Sequence, residues 1–159
     1  MTSPTPSTTP DPDRPSDGPT ATLFDAVATE HATIYGYGIV SAHSSPDEND
    51  LVSSAMAEHR ERREAAIAML TGRGAKAPLP AAGYQLPMPV HYPADAAKLA
   101  VRMEEDCAVA WRATLEQANS EQDRAFAVTA LTEAAVTAAR WKQILGTQPV
   151  TVAFPGGTE

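Results

Sequence analysis

The chain of 159 residues carries one cysteine, Cys107, which rules out an intramolecular disulfide and a thiolate metal cluster within one chain. A reducing, cytoplasmic setting is therefore expected. Basic residues are few, 12 Lys and Arg against 20 Asp and Glu, for a formal charge of −8. That balance argues against nucleic acid or an anionic membrane surface as partner, since both need clustered cations. Nowhere do about 18 apolar residues run together, as a membrane span requires. The opening stretch, MTSPTPSTTPDPDRPSDGPTA, has neither a basic start nor an apolar core and is not read as a secretory signal. Residues 1–21 are expected to form a disordered tail rich in Pro, Ser and Thr. Aromatic residues make up only 6% of the chain, and Val and Ile are scattered rather than alternating, so alanine-rich helices are favoured over strands.

What is present reads as helices with clear punctuation. Thr22-Leu-Phe-Asp25 has the form of a capping box and is expected to open helix 1, with Leu23, Val27, Ile34 and Gly38 recurring at helical spacing. Glu30 or His31 must complete that stripe, so a titratable group faces inward halfway along the helix. Gly36 and Gly38 each cost roughly 1 kcal/mol relative to Ala, which points to close approach by a neighbouring helix. Ser45-Pro46-Asp47-Glu48 combines an N-cap, Pro at N1 and Glu at N3, and starts helix 2. Its inward stripe takes Leu51 or Val52, then Ala55, His59, Arg62, Ala66 and Met69 or Leu70, with Gly72 at its end.

From Gly72 to Tyr92 the chain holds four prolines and three glycines, a long connection without regular structure of its own. Such a segment suits a crossover that travels the length of a four-helix bundle. Pro93 and Asp95 start helix 3, with Ala96, Leu99 or Ala100, Met103 or Glu104, Cys107 and Trp111 on one face. Asn119 or Ser120 caps helix 4, whose stripe is Phe126, Ala130, Glu133, Thr137, Trp141 and Ile144, with Gly146 beyond its end. The expected domain is an all-α four-helix bundle over residues 22–146. Residues 147–159 form an extension whose Val150, Val152 and Phe154 are expected across a bundle groove.

Four equal helices, the long middle connection and mid-helix acids give a chain that resembles the ferritin-like superfamily. More narrowly it resembles the actinobacterial family of ferritin-like domains of unknown function, DUF4439. The residues carrying this are Glu30-His31-Ala32 with Tyr35 and Tyr37, His59-Arg60-Glu61-Arg62-Arg63, Tyr84-Gln-Leu-Pro87, Glu104, Trp141 and Phe154-Pro155-Gly156. The resemblance implies a fold but no established activity.

Di-iron bundles place a Glu on each of two helices and Glu-x-x-His on each of the other two. By resemblance Glu30 and Glu104 match the two lone carboxylates. The two Glu-x-x-His motifs are broken, because Met56 precedes His59 by three residues and Val136 follows Glu133 by three. A mononuclear site of Glu30, His59, Glu104 and Glu133 is the surviving metal reading, suited to iron, manganese or zinc. The competing reading needs no cofactor: Arg62 or Arg63 answers the buried carboxylate, giving a structural network drawn from Glu30, His31, His59, Arg62, Arg63, Glu104 and Glu133.

Other groups fit less demanding roles. His43 and His91 read as surface or capping residues, and Cys107 as a small buried hydrophobe. Tyr35, Tyr37, Tyr84 and Trp111 are candidates to bound an organic ligand between helices. The expectation that follows is a non-enzymatic structural or interaction protein without a cofactor, acting as a homo-oligomer with a dimer favoured. The alternative is a metal-binding redox or storage protein of ferritin type.

Overall fold

The computed structural model describes residues 11–157. The structure is an all-helical four-helix bundle, and no strand occurs among the described residues: α1 spans Gly18–His43, α2 Asn49–Gly72, α3 Pro93–Gln117 and α4 Glu121–Leu145. Among the described residues no helix is long and apolar enough to cross a membrane.

The ends of the helices follow local chemistry, with corrections to what was expected. α1 begins at Gly18, before the Thr22 box, because Asp17 accepts the Thr20 N–H as N-cap and Pro19 occupies the first turn. The Thr22 hydroxyl instead bonds the Gly18 carbonyl, and Asp25 pairs with Arg14. The tail boundary at residue 21 therefore moves to before Asp17, while residues 1–10 lie outside the described residues. Ser45 to Glu48 forms the expected start as a 3-10 turn over Pro46–Glu48, in which Glu48 accepts the Ser45 N–H. α2 runs through Gly72, and the left-handed glycine after it is Gly74, at φ 71°. α3 opens with Asp95 accepting the His91 and Tyr92 N–H groups. α4 is capped by Ser120 and stopped by Gly146 at φ 67°.

Two apolar clusters order the helices in space. One gathers Leu23 and Phe24 of α1, Leu70 of α2, Trp111 of α3 and Leu131 of α4; the other gathers Tyr37, Val52, Leu99 and Trp141. α1 and α4 thus run from the first cluster to the second, and α2 and α3 run the opposite way. Two consecutive parallel helices need a connection as long as the bundle, and residues 73–92 supply it. Ala75 and Ala77 pack at the first cluster, Pro78 meets His31, Tyr84 packs on Tyr35, and Val90 is buried in the second cluster.

α3 packs extensively on α4 and α1, and α1 on α2. α2 meets α4 mainly through long side chains, Arg62 to Glu133 and Arg73 to Asp123. Gly36 has the role its cost suggested, since a Cβ there would collide with Met103 of α3. Gly38 does not, because it faces open space. The inward stripe of α1 runs through Glu30, Thr33, Tyr37 and Val40 rather than Ile34 and Gly38.

Candidate functional site

Between the two apolar clusters lies a polar layer to which all four helices contribute. Glu30, His59 and Glu104 are buried to 2% exposure or less, and Arg62 to 6%. Each projects from the middle of its helix, so the burial follows from the helical period of its stripe.

The layer is a continuous chain of hydrogen bonds. His59 Nδ1 donates to Glu30 Oε2 at 2.6 Å and its Nε2 to Glu104 Oε1 at 3.0 Å. Glu30 Oε1 accepts Trp111 Nε1 at 2.7 Å and Arg62 Nη1 at 3.3 Å. Arg62 Nη2 continues outward to Glu133 Oε2 at 2.8 Å. On the other side the Tyr37 hydroxyl donates to Glu104 Oε1 at 2.5 Å and accepts Trp141 Nε1 at 3.0 Å. Thr33 and Cys107 close the layer with an Oγ1 to Sγ distance of 3.1 Å.

Charge bookkeeping explains why these groups tolerate burial. Two carboxylates, Glu30 and Glu104, stand against one guanidinium and one imidazolium, so the buried set is neutral. Burial alone would lower the His59 pKa, but its bonds to Glu104 and Glu30 outweigh that and raise it to about 9. Burial likewise opposes the Glu30 charge, and His59 and Arg62 overcome it, holding its pKa below the ordinary value. Burial and the neighbouring Glu104 push the Tyr37 hydroxyl well up, and burial among the carboxylates does the same to the Cys107 thiol. Tyr37 and Cys107 are therefore neutral near neutral pH, and the Tyr37 hydroxyl is free to donate to Glu104.

The sequence candidates divide. Glu30, His59, Arg62 and Glu104 converge. Arg63 does not belong to the layer, because one residue further round α2 it points outward and pairs with Glu64. Glu133 sits at the rim with its side chain 47% exposed, not in the core of the site. His31 turns away from Glu30, and its Nε2 lies 3.0 Å from the Pro78 carbonyl, tying the crossover to α1. Burial lowers its pKa, so it is a neutral donor to that carbonyl. The four aromatic candidates bound no common pocket: Tyr37 and Trp111 are buried in the layer, while Tyr35 and Tyr84 pair on the outside, 5.3 Å between ring centroids. His43 lies at the end of α1, its Nδ1 3.0 Å from the Ile39 carbonyl, and His91 is exposed. Phe154 is exposed rather than seated in a groove.

The donor set fits a resident metal poorly. Glu30, His59 and Cys107 do bring one ligand atom each within 4.8 Å of one another. Yet both ring nitrogens of His59 are already held by carboxylates, so a metal would have to displace one of those bonds. Arg62 takes up the remaining charge of Glu30 and Glu133, where a cation would have to stand.

Reasoning from sequence missed Tyr37, Trp111 and Trp141 as parts of the layer. The signal existed: Tyr37 follows Glu30, and Trp111 follows Glu104, by two helical turns, and a buried Tyr or Trp generally finds a partner for its polar atom.

Three comparisons with known proteins bear on this site. No curated protein matches the sequence. The crystal structure of a conserved hypothetical protein from Mycobacterium tuberculosis is similar, with 59% identity and a TM-score of 0.81, over 82% of this chain and 99% of the other. The model of the family described as a domain of unknown function, DUF4439, matches residues 22–159, and the chain belongs to that family.

Proposed function

We propose that the protein is a ferritin-like bundle whose metal-ligand set has been replaced by a buried ion-pair layer, and that it acts as a non-enzymatic structural or interaction protein. The observation that carries this reading is Arg62: its guanidinium bridges Glu30 at 3.3 Å and Glu133 at 2.8 Å, supplying the positive charge a metal would supply. The broken Glu-x-x-His motifs at Met56 and Val136 support it too, because a dinuclear centre needs both. The layer contains no exposed nucleophile, since its Cys107 thiol is buried and kept protonated. Cytoplasmic action as a homodimer, in an actinobacterial setting, completes the proposal; the mycobacterial neighbour accords with that setting.

Metal analysis of protein purified without a histidine tag tests it. The expected result is substoichiometric iron, manganese and zinc, unchanged by Glu30→Ala. Stoichiometric metal that disappears in Glu30→Ala would instead favour a metal-binding redox or storage protein, the reading to which the approach of Glu30, His59 and Cys107 lends some support.

A further inference from the structure

The outward face of α1 carries a groove that the polar layer does not use. Ala28, Ala32 and Gly36 form its floor, Met103 of α3 stands on one side, and on the other Tyr84 of the crossover packs on Tyr35 with ring centroids 5.3 Å apart. The groove encloses about 560 Å³, and Tyr35 at its edge is 41% exposed. Its polar groups are already engaged. Asp106 is paired with Arg102 at 3.0 Å, and the Tyr84 hydroxyl accepts the Ala81 N–H. The groove therefore suits an uncharged occupant.

The described chain begins at the foot of this groove. Arg14 Nε and Nη2 donate to the two carboxylate oxygens of Asp25 at 2.7 and 2.6 Å, and Asp13 pairs with Lys76 of the crossover at 3.1 Å. Asp25 precedes Ala28, Ala32 and Gly36 by three, seven and eleven residues, so all four lie along one line of α1. The ion pair at Asp25 thus brings the N-terminal segment onto the axis of the groove rather than to one side of it.

Residues 1–10, MTSPTPSTTP, have the matching chemistry. They contain no charged side chain, and Pro4, Pro6 and Pro10 each set φ at about −65°, which favours the polyproline II form. That form repeats every three residues, so Pro4, Ser7 and Pro10 share a face. At about 3.1 Å per residue the segment reaches about 31 Å, ample for the distance of about 17 Å along α1 from Asp25 to Gly36. Proline-rich segments in this form dock in grooves lined by aromatic rings. A tethered segment also meets its site at an effective concentration in the millimolar range, so weak contacts suffice.

We propose that residues 1–10 of the same chain occupy this groove as a polyproline II strap, with the face of Pro4 and Pro10 against Tyr35 and Tyr84. The strap covers the seam where α1, α3 and the crossover meet. It does not depend on how the buried ion-pair layer is read.

The test is paramagnetic broadening in the full, isotopically labelled chain carrying a nitroxide at Ser7→Cys; Cys107 is buried and stays unlabelled. Tethering alone broadens amides around Asp25, so the readout lies further along the groove. The amide signals of Gly36 and Gln85 are expected to be lost, while those of Glu61 and Glu64 on α2 are retained. Ala32→Arg, at a half-buried helical position, fills the floor and should restore both lost signals, and Tyr35→Ala, at an exposed one, should restore them in part. A mixture of nitroxide-bearing chain without isotope and isotope-labelled chain without nitroxide should keep both signals. Survival of Gly36 and Gln85 in the nitroxide-bearing chain, equal loss on α2, or loss that persists in both variants would each overturn the proposal. So would loss in the mixture, which would make a second copy the source of the strap.

Discussion

The apolar ends of the bundle and the polar layer between them come from the same four helices but obey different rules. At the ends, Leu23, Leu70 and Leu131 or Val40, Val52 and Leu99 contribute through area and fit, and no single contact decides the outcome. In the layer, each buried charge is tolerable only while a named partner stays within hydrogen-bond distance. The ends therefore supply most of the stability, and the layer discriminates among arrangements. Sliding α1 by one turn, about 5.4 Å, separates Glu30 from His59 and Tyr37 from Glu104 at once. The layer thus has the properties of a register lock.

The sharpest way to break this contrast is to remove one charge. Glu30→Ala leaves His59 and Arg62 cationic and the Trp111 N–H unpaired, and is expected to cost about 3–5 kcal/mol by denaturant unfolding. Leu70→Ala, in an apolar end, is the control, with an expected loss of roughly 2–4 kcal/mol. If Glu30→Ala costs clearly less than the control, the layer is not under the constraint described.

Titration separates the two regions next. His59 has a folded pKa of about 9, above its ordinary 6.5, so the stability it contributes is fully present below pH 6.5 and is lost as pH rises through 9. The loss over that interval should be on the order of 3 kcal/mol. Glu30 works in the opposite direction: its lowered pKa contributes stability above the ordinary carboxylate value that disappears as pH falls through the folded one. His31 adds a further acid-side loss, because its lowered pKa favours the neutral ring in the folded state. Unfolding midpoints measured from pH 6 to 10 should fall on the alkaline side in the wild type and in Leu70→Ala alike, and stay flatter in His59→Gln. A wild-type curve that is flat from pH 6.5 to 9 would remove the imidazolium from the layer.

Smaller in effect is Tyr37→Phe, which keeps the ring but deletes the hydroxyl between Glu104 and Trp141. It should cost about 1–2 kcal/mol, a charge-assisted bond and a neutral one less the water they regain on unfolding. A loss near zero would mean that Glu104 does not depend on its α1 partner.

Much of this organisation was legible in the sequence because it depends on period and punctuation. Pro93, Asp95, Ser120 and Gly146 mark helix ends by local chemistry, and the stripe Ala55, His59, Arg62, Ala66 places a histidine and an arginine on the inner face of α2 with no tertiary information. The α1 start was misplaced because Thr22 and Asp17 both carry capping side chains, and only the geometry of Asp17 with the Thr20 N–H decides between them. Glu133 was assigned to the interior because a helical stripe is wider than one residue. Its neighbour Ala134 faces the core instead, and Glu133 lies on the edge towards α2. Which atoms meet across helices, such as Trp111 with Glu30, depends on rotation and register between elements far apart in the chain, information that periodicity does not hold.

Glu133 also gives the mildest and most discriminating measurement. Its side chain is 47% exposed, and the bond it accepts from Arg62 faces solvent on the open side between α2 and α4. Glu133→Gln keeps an acceptor for Arg62 Nη2 and leaves Glu30 in place to balance the guanidinium, so the expected loss is under about 1 kcal/mol. Raising the salt concentration should shrink it further, as it does for any exposed pair. A loss comparable to that of Glu30→Ala, insensitive to salt, would show that the electrostatic boundary of the layer runs through Glu133 rather than inside it. Arg62 would then be held from both sides with equal force, and the register lock would extend across the seam between α2 and α4, where the helices otherwise meet least.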